Sequence, residues 1–367
     1  MTTDFWQRLF GEVPESGLAV RMRSLKKGCR PFLLLPQDGG LASQCLALYP
    51  AQTRKARIAK ALVRVLLKAS LPLGMEPVNL TLSPTSDFVR FLGSNASGAP
   101  GTIPQFGVLA GNPANDSQRF LIILFGSQQK PVAVIKAGLS NYARELISKE
   151  HHFLSAVRPK TPGVPSLLAS FKTRRLNALA LPFFAGDSPH GQPQTMLSQI
   201  LSSWVDLSQA LPIAEIPDWR SLEAAADPAD LRKLDGSAVR QHRVHPPISH
   251  GDFAPWNIKV SSKGEWSVLD WERGQTRGIP GWDWFHYMIQ PAILVERLSS
   301  TGLIERVEQL LGSEAFSNYA GKAQVTGIER QLVLAYLLYC ICVIKPAEGL
   351  EATSKLFQAA SQRWTRL

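Results

Sequence analysis

Apolar residues along this chain occur as short continuous runs and, in longer stretches, at a spacing of three to four residues. The first is typical of β-strands and the second of α-helices. Strands are predicted at residues 31–36, 44–50, 106–110, 119–125 and 131–136. Helices are predicted from Thr53 to about Ser70, from Tyr142 to about Val157 and from Met196 to Leu211, and later at residues 303–311, 329–344 and 352–366. A strand-rich first half and a helical second half favour an α+β protein.

Two of the predicted helices have a defined apolar stripe. On the helix from Thr53 to Ser70 the stripe consists of Ile58, Ala61, Leu62, Val65 and Leu66. The cations Arg57, Lys60, Arg64 and Lys68 lie mainly on the other side and can face outward together. On the helix from Met196 to Leu211 the residues predicted to face inward are Ile200, Trp204, Leu207 and Leu211.

The most informative stretch is residues 248–258, which runs from an apolar entry through a polar turn to an apolar exit. This pattern predicts a strand, a loop and a second strand, and a further short strand at residues 267–269 ends at Asp270. Asp252, Asn257 and Asp270 should then point into one small volume. Oxygen ligands of this kind suit Mg²⁺, which keeps several waters and is shared with substrate phosphates. The alternative is a tight turn whose acids only accept hydrogen bonds from backbone N–H groups.

The spacing in this stretch resembles the catalytic loop of protein kinases, in which His-Arg-Asp is followed by four residues and Asn, and then by a metal-binding Asp. The sequences HGDFAPWN and DWE, which contain His250, Asp252, Asn257 and Asp270, resemble the aminoglycoside phosphotransferase and choline kinase family. That resemblance implies that Asp252 is the base facing a substrate hydroxyl, with His250 beside it as a catalytic residue. It also implies that Asn257 and Asp270 hold Mg²⁺.

The region before this loop has the pattern of the small lobe of a kinase. The run ending at Lys136 resembles the Val-Ala-Ile-Lys strand whose lysine holds nucleotide phosphates. In the following predicted helix, Glu145 or Glu150 could pair with Lys136, and the resemblance favours Glu150. A lysine exposed at a strand end and a glutamate exposed on a helix are the alternatives for these residues.

Two further nucleotide contacts follow from the resemblance. The loop that starts at Gly111 and ends at Ser117 is the preferred phosphate-covering loop, and residues 93–98 form a second candidate. Neither contains Gly-x-Gly-x-x-Gly. The segment 179–186, with Leu181 and Phe183, is predicted to link two lobes and to contact adenine through its backbone. Asp283, which precedes a later predicted helix, either braces the catalytic loop or caps that helix.

Charge is distributed unevenly over the 367 residues. The net charge is +11, and the first 75 residues hold twelve cationic and four acidic side chains, which is +8 of that total. This basic part indicates an anionic partner, or else a solvated surface. No apolar run of transmembrane length and no secretory signal is recognised, and the four cysteines show no metal spacing. We therefore expect a cytoplasmic protein.

The resemblance implies a bilobal α+β protein-kinase-like fold with a β-rich small lobe and a mainly helical large lobe. We expect an α/β extension at residues 1–78, a small lobe and hinge at 79–186, and a large lobe at 187–367. The expected function is ATP- and Mg²⁺-dependent phosphorylation of a hydroxyl on a small molecule such as a sugar, aminoglycoside or amino alcohol. Two alternatives are a nucleotide-binding regulatory or scaffold protein and a kinase of protein substrates.

Overall fold

The computed structural model of the chain describes residues 2–49, 51, 54–69, 71, 73–96, 101–112, 116–189, 193–234, 236–346 and 348–364. The chain divides into two compact units. The first unit comprises residues 1–155 and 165–185, and the second comprises residues 156–164 and 186–367.

The first unit is built on an antiparallel sheet, which has eight strands in the described part of the chain. Its strands are β1 (Leu18–Lys27), β2 (Arg30–Pro36), β3 (Glu76–Leu82), β4 (Gln105–Ala110), β5 (Arg119–Phe125), β6 (Pro131–Gly138), β7 (Ala169–Lys172) and β8 (Asn177–Pro182). Their spatial order is β3-β1-β2-β4-β5-β6-β8-β7. The boundary that the sequence analysis placed after residue 78 lies inside β3, and the first three strands continue the same sheet as the others.

Both faces of this sheet are covered, because alternate residues of each strand are buried on opposite sides. The helices of this unit are α1 (Thr2–Phe10), α2 (Gly39–Cys45), α3 (Arg54–Lys68), α4 (Asp87–Asn95) and α5 (Asn141–Ala156). One core contains Leu34 and Ile122 with residues of α1 and α4. The other contains Leu33 and Ile123 with residues of α2 and α3. The central strands therefore read as continuous apolar runs, which is the signal that predicted β4, β5 and β6 correctly.

The strand predicted at residues 44–50 is wrong. Helix α2 occupies the first part of that segment, and a 3-10 helix follows at Leu46–Leu48. The Asp38 carboxylate accepts a hydrogen bond from the Leu41 N–H at 2.8 Å and so caps α2 at its N-terminus. Cys45 is fully buried in the α2 and α3 core. The segment between the two predicted strands therefore contains the start of a helix.

Helix α3 is present, but its predicted orientation is wrong. Ile58, Leu62 and Val65 of the predicted inward stripe are about 60% exposed, at 62%, 59% and 63%. The buried contacts come instead from Val63 and Leu67. The predicted capping residue, Thr53, lies outside the described residues.

The second unit is mainly helical. Its helices are α6 (Gln194–Ser203), α7 (Pro217–Ala225), α8 (Pro228–Arg232), α9 (Gly236–Gln241), α10 (Trp282–Leu294), α11 (Ser300–Leu311), α12 (Glu314–Ala323), α13 (Glu329–Tyr339) and α14 (Leu350–Trp364). Its strands are β9 (Leu211–Pro212), β10 (Arg243–Val244), β11 (Ile258–Val260) and β12 (Trp266–Val268). None of the helices in the described part of the chain has the length and apolar character needed to cross a bilayer.

Helix α6 ends eight residues before the predicted end at Leu211. The Asp206 carboxylate accepts hydrogen bonds from the backbone and hydroxyl of Ser208, a local turn that competes with helix continuation. Trp204 remains buried beyond the helix end, whereas Leu207, predicted to face inward, is 56% exposed.

Candidate active site

A two-stranded ribbon brings Asn257 and Asp270 to one end of the second unit. Strands β11 and β12 pair Ile258 with Val268. The Leu269 N–H then donates to the Asn257 carbonyl at 2.7 Å, which places Asp270 directly after the last backbone contact. Asp270 has φ 68° and ψ 57°, in the left-handed region that Asp tolerates better than most residues. The predicted meeting of loop and strand end is therefore observed.

Asp283 holds the entry of the catalytic loop. It lies in the first turn of α10, the helix that runs through the core of the second unit. Its carboxylate accepts the His250 N–H at 2.7 Å and the Gly251 N–H at 3.1 Å. Of the two interpretations left open above, bracing is the one observed, because Gly281 occupies the N-cap. Burial raises the pKa of Asp283 to about 6 in spite of these two hydrogen bonds.

Gly251 explains why this loop lacks the arginine of His-Arg-Asp. Its φ is +74°, a conformation that costs other residues strain. A Cβ at this position would also lie 2.9 Å from the Arg273 Cβ and 3.0 Å from the Arg273 carbonyl oxygen. Glycine allows the close approach of the loop to the segment that follows Asp270.

His250 is fully buried, and both of its ring nitrogens contact the backbone. Nε2 lies 2.7 Å from the Leu269 carbonyl, and Nδ1 lies 3.2 Å from the Asp252 N–H. These partners require the neutral tautomer in which Nε2–H donates and Nδ1 accepts. Burial lowers the pKa of His250 to about 4, in agreement with a neutral ring. The geometry gives His250 contacts that position the loop, with both nitrogens engaged by backbone groups.

Asp252 presents a partly exposed carboxylate, with 38% of its side chain accessible. The Asn257 amide donates to its Oδ2 at 3.0 Å and to its backbone carbonyl at 2.8 Å. The His286 Nε2 lies 3.1 Å from Oδ1. Burial alone would raise the pKa of Asp252, but the contact with His286 outweighs it and leaves that pKa below its ordinary value. The carboxylate is therefore oriented from both sides and ionised at neutral pH.

His286 is the functional candidate that sequence reasoning missed. It is buried on α10, and its Nδ1 lies 3.0 Å from the Tyr336 hydroxyl of α13. The available signal was the spacing of Asp283, His286 and Gln290, polar residues at i, i+3 and i+7 in an otherwise apolar helix. Such spacing puts three buried polar side chains on one helix face.

The first unit contains a buried ion pair between two residues that the sequence analysis proposed as partners. Lys136 on β6 is buried, and its Nζ lies 2.7 and 2.9 Å from the two carboxylate oxygens of Glu150 on α5. The Glu150 side chain is fully buried. The other candidate, Glu145, pairs with Lys149 on the exposed side of the same helix at 2.7 Å. The structure thus contains the pairing that the sequence analysis preferred.

No protein-family model matches the chain, and the comparison with curated proteins gives no match. Solved structures do match. A thermostable mutant of aminoglycoside phosphotransferase APH(4)-Ia in its apo form has a TM-score of 0.50 at 12% identity, covering 76% of this chain and 100% of that chain. This chain has the protein-kinase-like fold.

Two more structures with the protein-kinase-like fold are similar to this chain. A ternary complex of a thermostable APH(4)-Ia mutant with ADP and hygromycin B has a TM-score of 0.48 at 12% identity, covering 76% of this chain and 98% of that chain. An ethanolamine kinase of Plasmodium vivax has a TM-score of 0.49 at 10% identity, covering 88% and 94%.

The chemistry of the loop fits Mg²⁺ with few protein ligands. The Asn257 amide nitrogen faces Asp252, so the carbonyl oxygen of the same amide points away from that carboxylate. Across the described residues, no group of three or more His, Cys, Asp or Glu side chains is arranged to hold a metal. An amide oxygen and one carboxylate, such as Asn257 and Asp270 provide, suit a cation that keeps waters and shares phosphate oxygens.

The remaining predicted nucleotide contacts lie within strand β8 or just beyond the ends of β4 and β8. Gly111 pairs its N–H with the Arg119 carbonyl at 2.8 Å, and the loop after it lies partly outside the described residues. Residues 87–95, which overlap the second candidate loop, form helix α4. Leu181 is buried in β8 opposite Val134. The Phe183 N–H donates to the Val132 carbonyl at 3.0 Å, so this N–H is engaged within the sheet.

Proposed function

We propose that this protein transfers the terminal phosphoryl group of ATP, with Mg²⁺, to a hydroxyl group of a small molecule. The observation that carries the proposal is the Asp252 carboxylate, which is partly exposed, fixed by Asn257 and His286, and held ionised by a lowered pKa. A hydroxyl donating to this carboxylate would be oriented for attack on a phosphoryl group. The overall likeness to an aminoglycoside phosphotransferase supports the same class of reaction.

In this proposal Asp252 does the work on the acceptor side. Its carboxylate accepts the hydrogen bond of the attacking hydroxyl and then the proton, as the new P–O bond forms, the bond from the γ-phosphorus to the bridging oxygen of ATP breaks, and ADP leaves. Asn257 and His286 keep its two oxygens from rotating, and His250 holds its backbone. Positioning of this kind supplies much of the rate enhancement in phosphoryl transfer, because little covalent chemistry falls to the protein.

The nucleotide side of the proposal rests on Lys136 and on the metal ligands. Lys136, oriented by Glu150, binds the phosphates of ATP, as the resemblance to kinases implies. Asn257 and Asp270 would hold Mg²⁺, which when bound neutralises phosphate charge. Gly111, Leu181 and Phe183 remain proposed contacts of the nucleotide.

Small molecules are favoured over protein substrates by the short connection after Asp270. Helix α10 already begins at Trp282, and between them lie a 3-10 helix at Trp271–Arg273 and a bridge from Gln275 to Ser249. This connection has no room for the long segment that positions a peptide in protein kinases. The acceptor class is therefore a compact molecule bearing a hydroxyl group.

The test is ATP-dependent phosphorylation of a panel of sugars, amino alcohols and aminoglycosides by the purified full chain. With an accepted substrate, Asp252→Asn should bind ATP normally and lose turnover by about 10²-fold or more. The matched control, Asp230→Asn, changes a partly exposed carboxylate that pairs with Lys233 at 2.6 Å and should keep full turnover.

Two results would overturn the proposal. One is wild-type turnover in the Asp252→Asn protein. The other is ATP binding without phosphorylation of any acceptor class, which would instead identify a nucleotide-binding regulatory protein.

A further inference from the structure

Helix α3 exposes an apolar stripe that the fold of the first unit does not cover. Ile58, Leu62 and Val65 are each about 60% exposed and lie at positions i, i+4 and i+7. On a helix of 3.6 residues per turn these side chains fall within an arc of about 60° and span about 10 Å. Single exposed apolar residues are ordinary, but a line of them on one helix marks an interaction surface.

The opposite side of α3 attaches the helix to the protein. Val63 and Leu67 pack in the core formed with α2 and the sheet. The Lys60 ammonium donates to the Tyr49 carbonyl at 2.7 Å. The stripe therefore points directly away from the sheet, on a helix that is anchored along its other face.

Cations border the stripe on both sides. Lys55 lies near one edge, and Arg57, Arg64 and Lys68 lie about 60–100° around the helix beyond the other edge, all four exposed. The sequence of α3 contains no aspartate or glutamate. An exposed apolar stripe with cations on both sides and no acidic residue on the same helix is the pattern of helices that lie in the interface of an anionic bilayer.

We propose that α3 binds the surface of a membrane containing anionic lipids, with Ile58, Leu62 and Val65 inserted among the lipids and Lys55, Arg64 and Lys68 at the headgroups. The helix lies on the bilayer and does not span it, in accordance with its 15 residues. This inference is independent of the proposed phosphotransfer.

Other occupants fit these observations less well. A second copy of the chain would bring the cations of two helices against each other. A nucleic acid or another soluble polyanion would satisfy the cations but leave the three apolar side chains in water. The stripe is also convex, since Ala59 and Ala61 beside it are exposed, and a lipid surface can adapt to it without a complementary groove.

The test is co-sedimentation of the full chain with vesicles of phosphatidylcholine, alone or mixed with phosphatidylserine, over a series of salt concentrations. We expect binding to the mixed vesicles only, decreasing as salt rises. Replacing Lys55, Arg64 and Lys68 together by Gln should weaken partitioning by about 10²-fold. Replacing Ile58, Leu62 and Val65 together by Gln should weaken it by a similar factor, about 10²-fold.

Matched controls use exposed residues elsewhere in the chain. Leu168, Leu207 and Val295 replaced together by Gln match the apolar variant in number, and these side chains are also exposed, by 50%, 56% and 43%. Lys160, Lys263 and Lys322 replaced together by Gln match the cationic variant. Both control proteins should bind the mixed vesicles as the wild type does, and circular dichroism should show an unchanged fold in all four variants.

Insertion has its own readout. A Leu62→Cys substitution in a Cys29→Ser background, labelled with an environment-sensitive fluorophore, should show a blue shift on mixed vesicles, with the Cys29→Ser protein as the blank. The inference is overturned if the wild type does not bind mixed vesicles at low salt, or if the apolar variant binds them normally. A third result would also overturn the inference. If the wild type binds duplex DNA but not vesicles, and the apolar variant still binds the DNA, the cations would be assigned to nucleic acid.

Discussion

Replacement of His250 tests how the catalytic loop is held, because this ring is buried and both of its nitrogens have backbone partners. Two variants separate those partners. Asn places an amide oxygen near the position of Nδ1 and can still accept the Asp252 N–H. Gln places an amide nitrogen near the position of Nε2 and can still donate to the Leu269 carbonyl. Each variant leaves one buried backbone group without its partner, which we expect to cost about 1–3 kcal/mol at pH 7.

The pH dependence of the unfolding free energy gives a more specific expected value than the cost at pH 7. The pKa of His250 falls from 6.5 to about 4 on folding. Above pH 6.5 neither the folded nor the unfolded chain is protonated at this ring, and the contribution of His250 to the free energy of unfolding is fully present. Between pH 6.5 and about 4 the unfolded chain binds a proton that the folded chain does not, so the wild type loses stability. At about 1.4 kcal/mol per pKa unit, the total loss is about 3 kcal/mol.

Neither variant can bind that proton, so the unfolding free energy of the wild type minus that of the variant should fall by about 3 kcal/mol from pH 7 to about pH 4, which brings the difference of about 1–3 kcal/mol to zero or reverses its sign. The wild type is compared with each variant because Asp218 and Asp283 change the free energy of unfolding in the opposite direction as pH falls. Burial raises the pKa of each to about 6, so the folded chain binds their protons first and gains stability as pH falls. These contributions cancel between wild type and variant.

The assay is urea unfolding at several pH values, followed by fluorescence of the tryptophans around the loop, with circular dichroism at each pH to show that the starting state is folded. A difference that stays constant from pH 7 to 4, or that widens, would refute a buried neutral His250. Turnover supplies a second comparison, because the Gln variant releases the Asp252 backbone and the Asn variant does not. The Gln variant should therefore lose more activity.

Three further substitutions test the rest of the site. Glu150→Gln leaves the buried Lys136 ammonium without this carboxylate and should destabilise the first unit by about 3–5 kcal/mol in urea unfolding. The control, Glu145→Gln at the exposed pair, should cost less than about 1 kcal/mol. Equal costs would contradict a buried pair. His286→Gln removes a contact that lowers the pKa of Asp252, the proposed base, so the acid limb of the pH–rate profile should move to higher pH, and an unmoved limb would count against this contact. Asp270→Ala should weaken ATP binding in calorimetry only when Mg²⁺ is present; the same loss in EDTA would indicate a folding defect.

Local sequence determined those elements whose signal is contained within a few residues. Continuous apolar runs predict strands β4, β5 and β6, and these runs exist because both faces of each strand are buried. Apolar residues spaced three to four positions apart predict helix α5. The spacing in residues 248–270 predicted that the loop and the strand end meet, since a loop followed by a short ribbon can only return to its own start. Each of these predictions depends on hydrogen bonds or side-chain periods close along the chain.

Tertiary structure decided which of several possible faces is buried. Helix α3 is apolar on two sides, and only the position of α2 and the sheet selects Val63 and Leu67 over Ile58 and Leu62. For the same reason residues 44–50 could be read as a strand, although Asp38 starts a helix there.

The role of His286 shows the same limit at the site itself. It lies 34 positions after Asp252, and nothing in the intervening sequence fixes the distance between them. The packing of α10 under the catalytic loop brings its Nε2 to 3.1 Å from the carboxylate. Hydrogen-bond geometry is sensitive to shifts of a few tenths of an ångström, and sequence periodicity specifies a helix face but not its distance from another element.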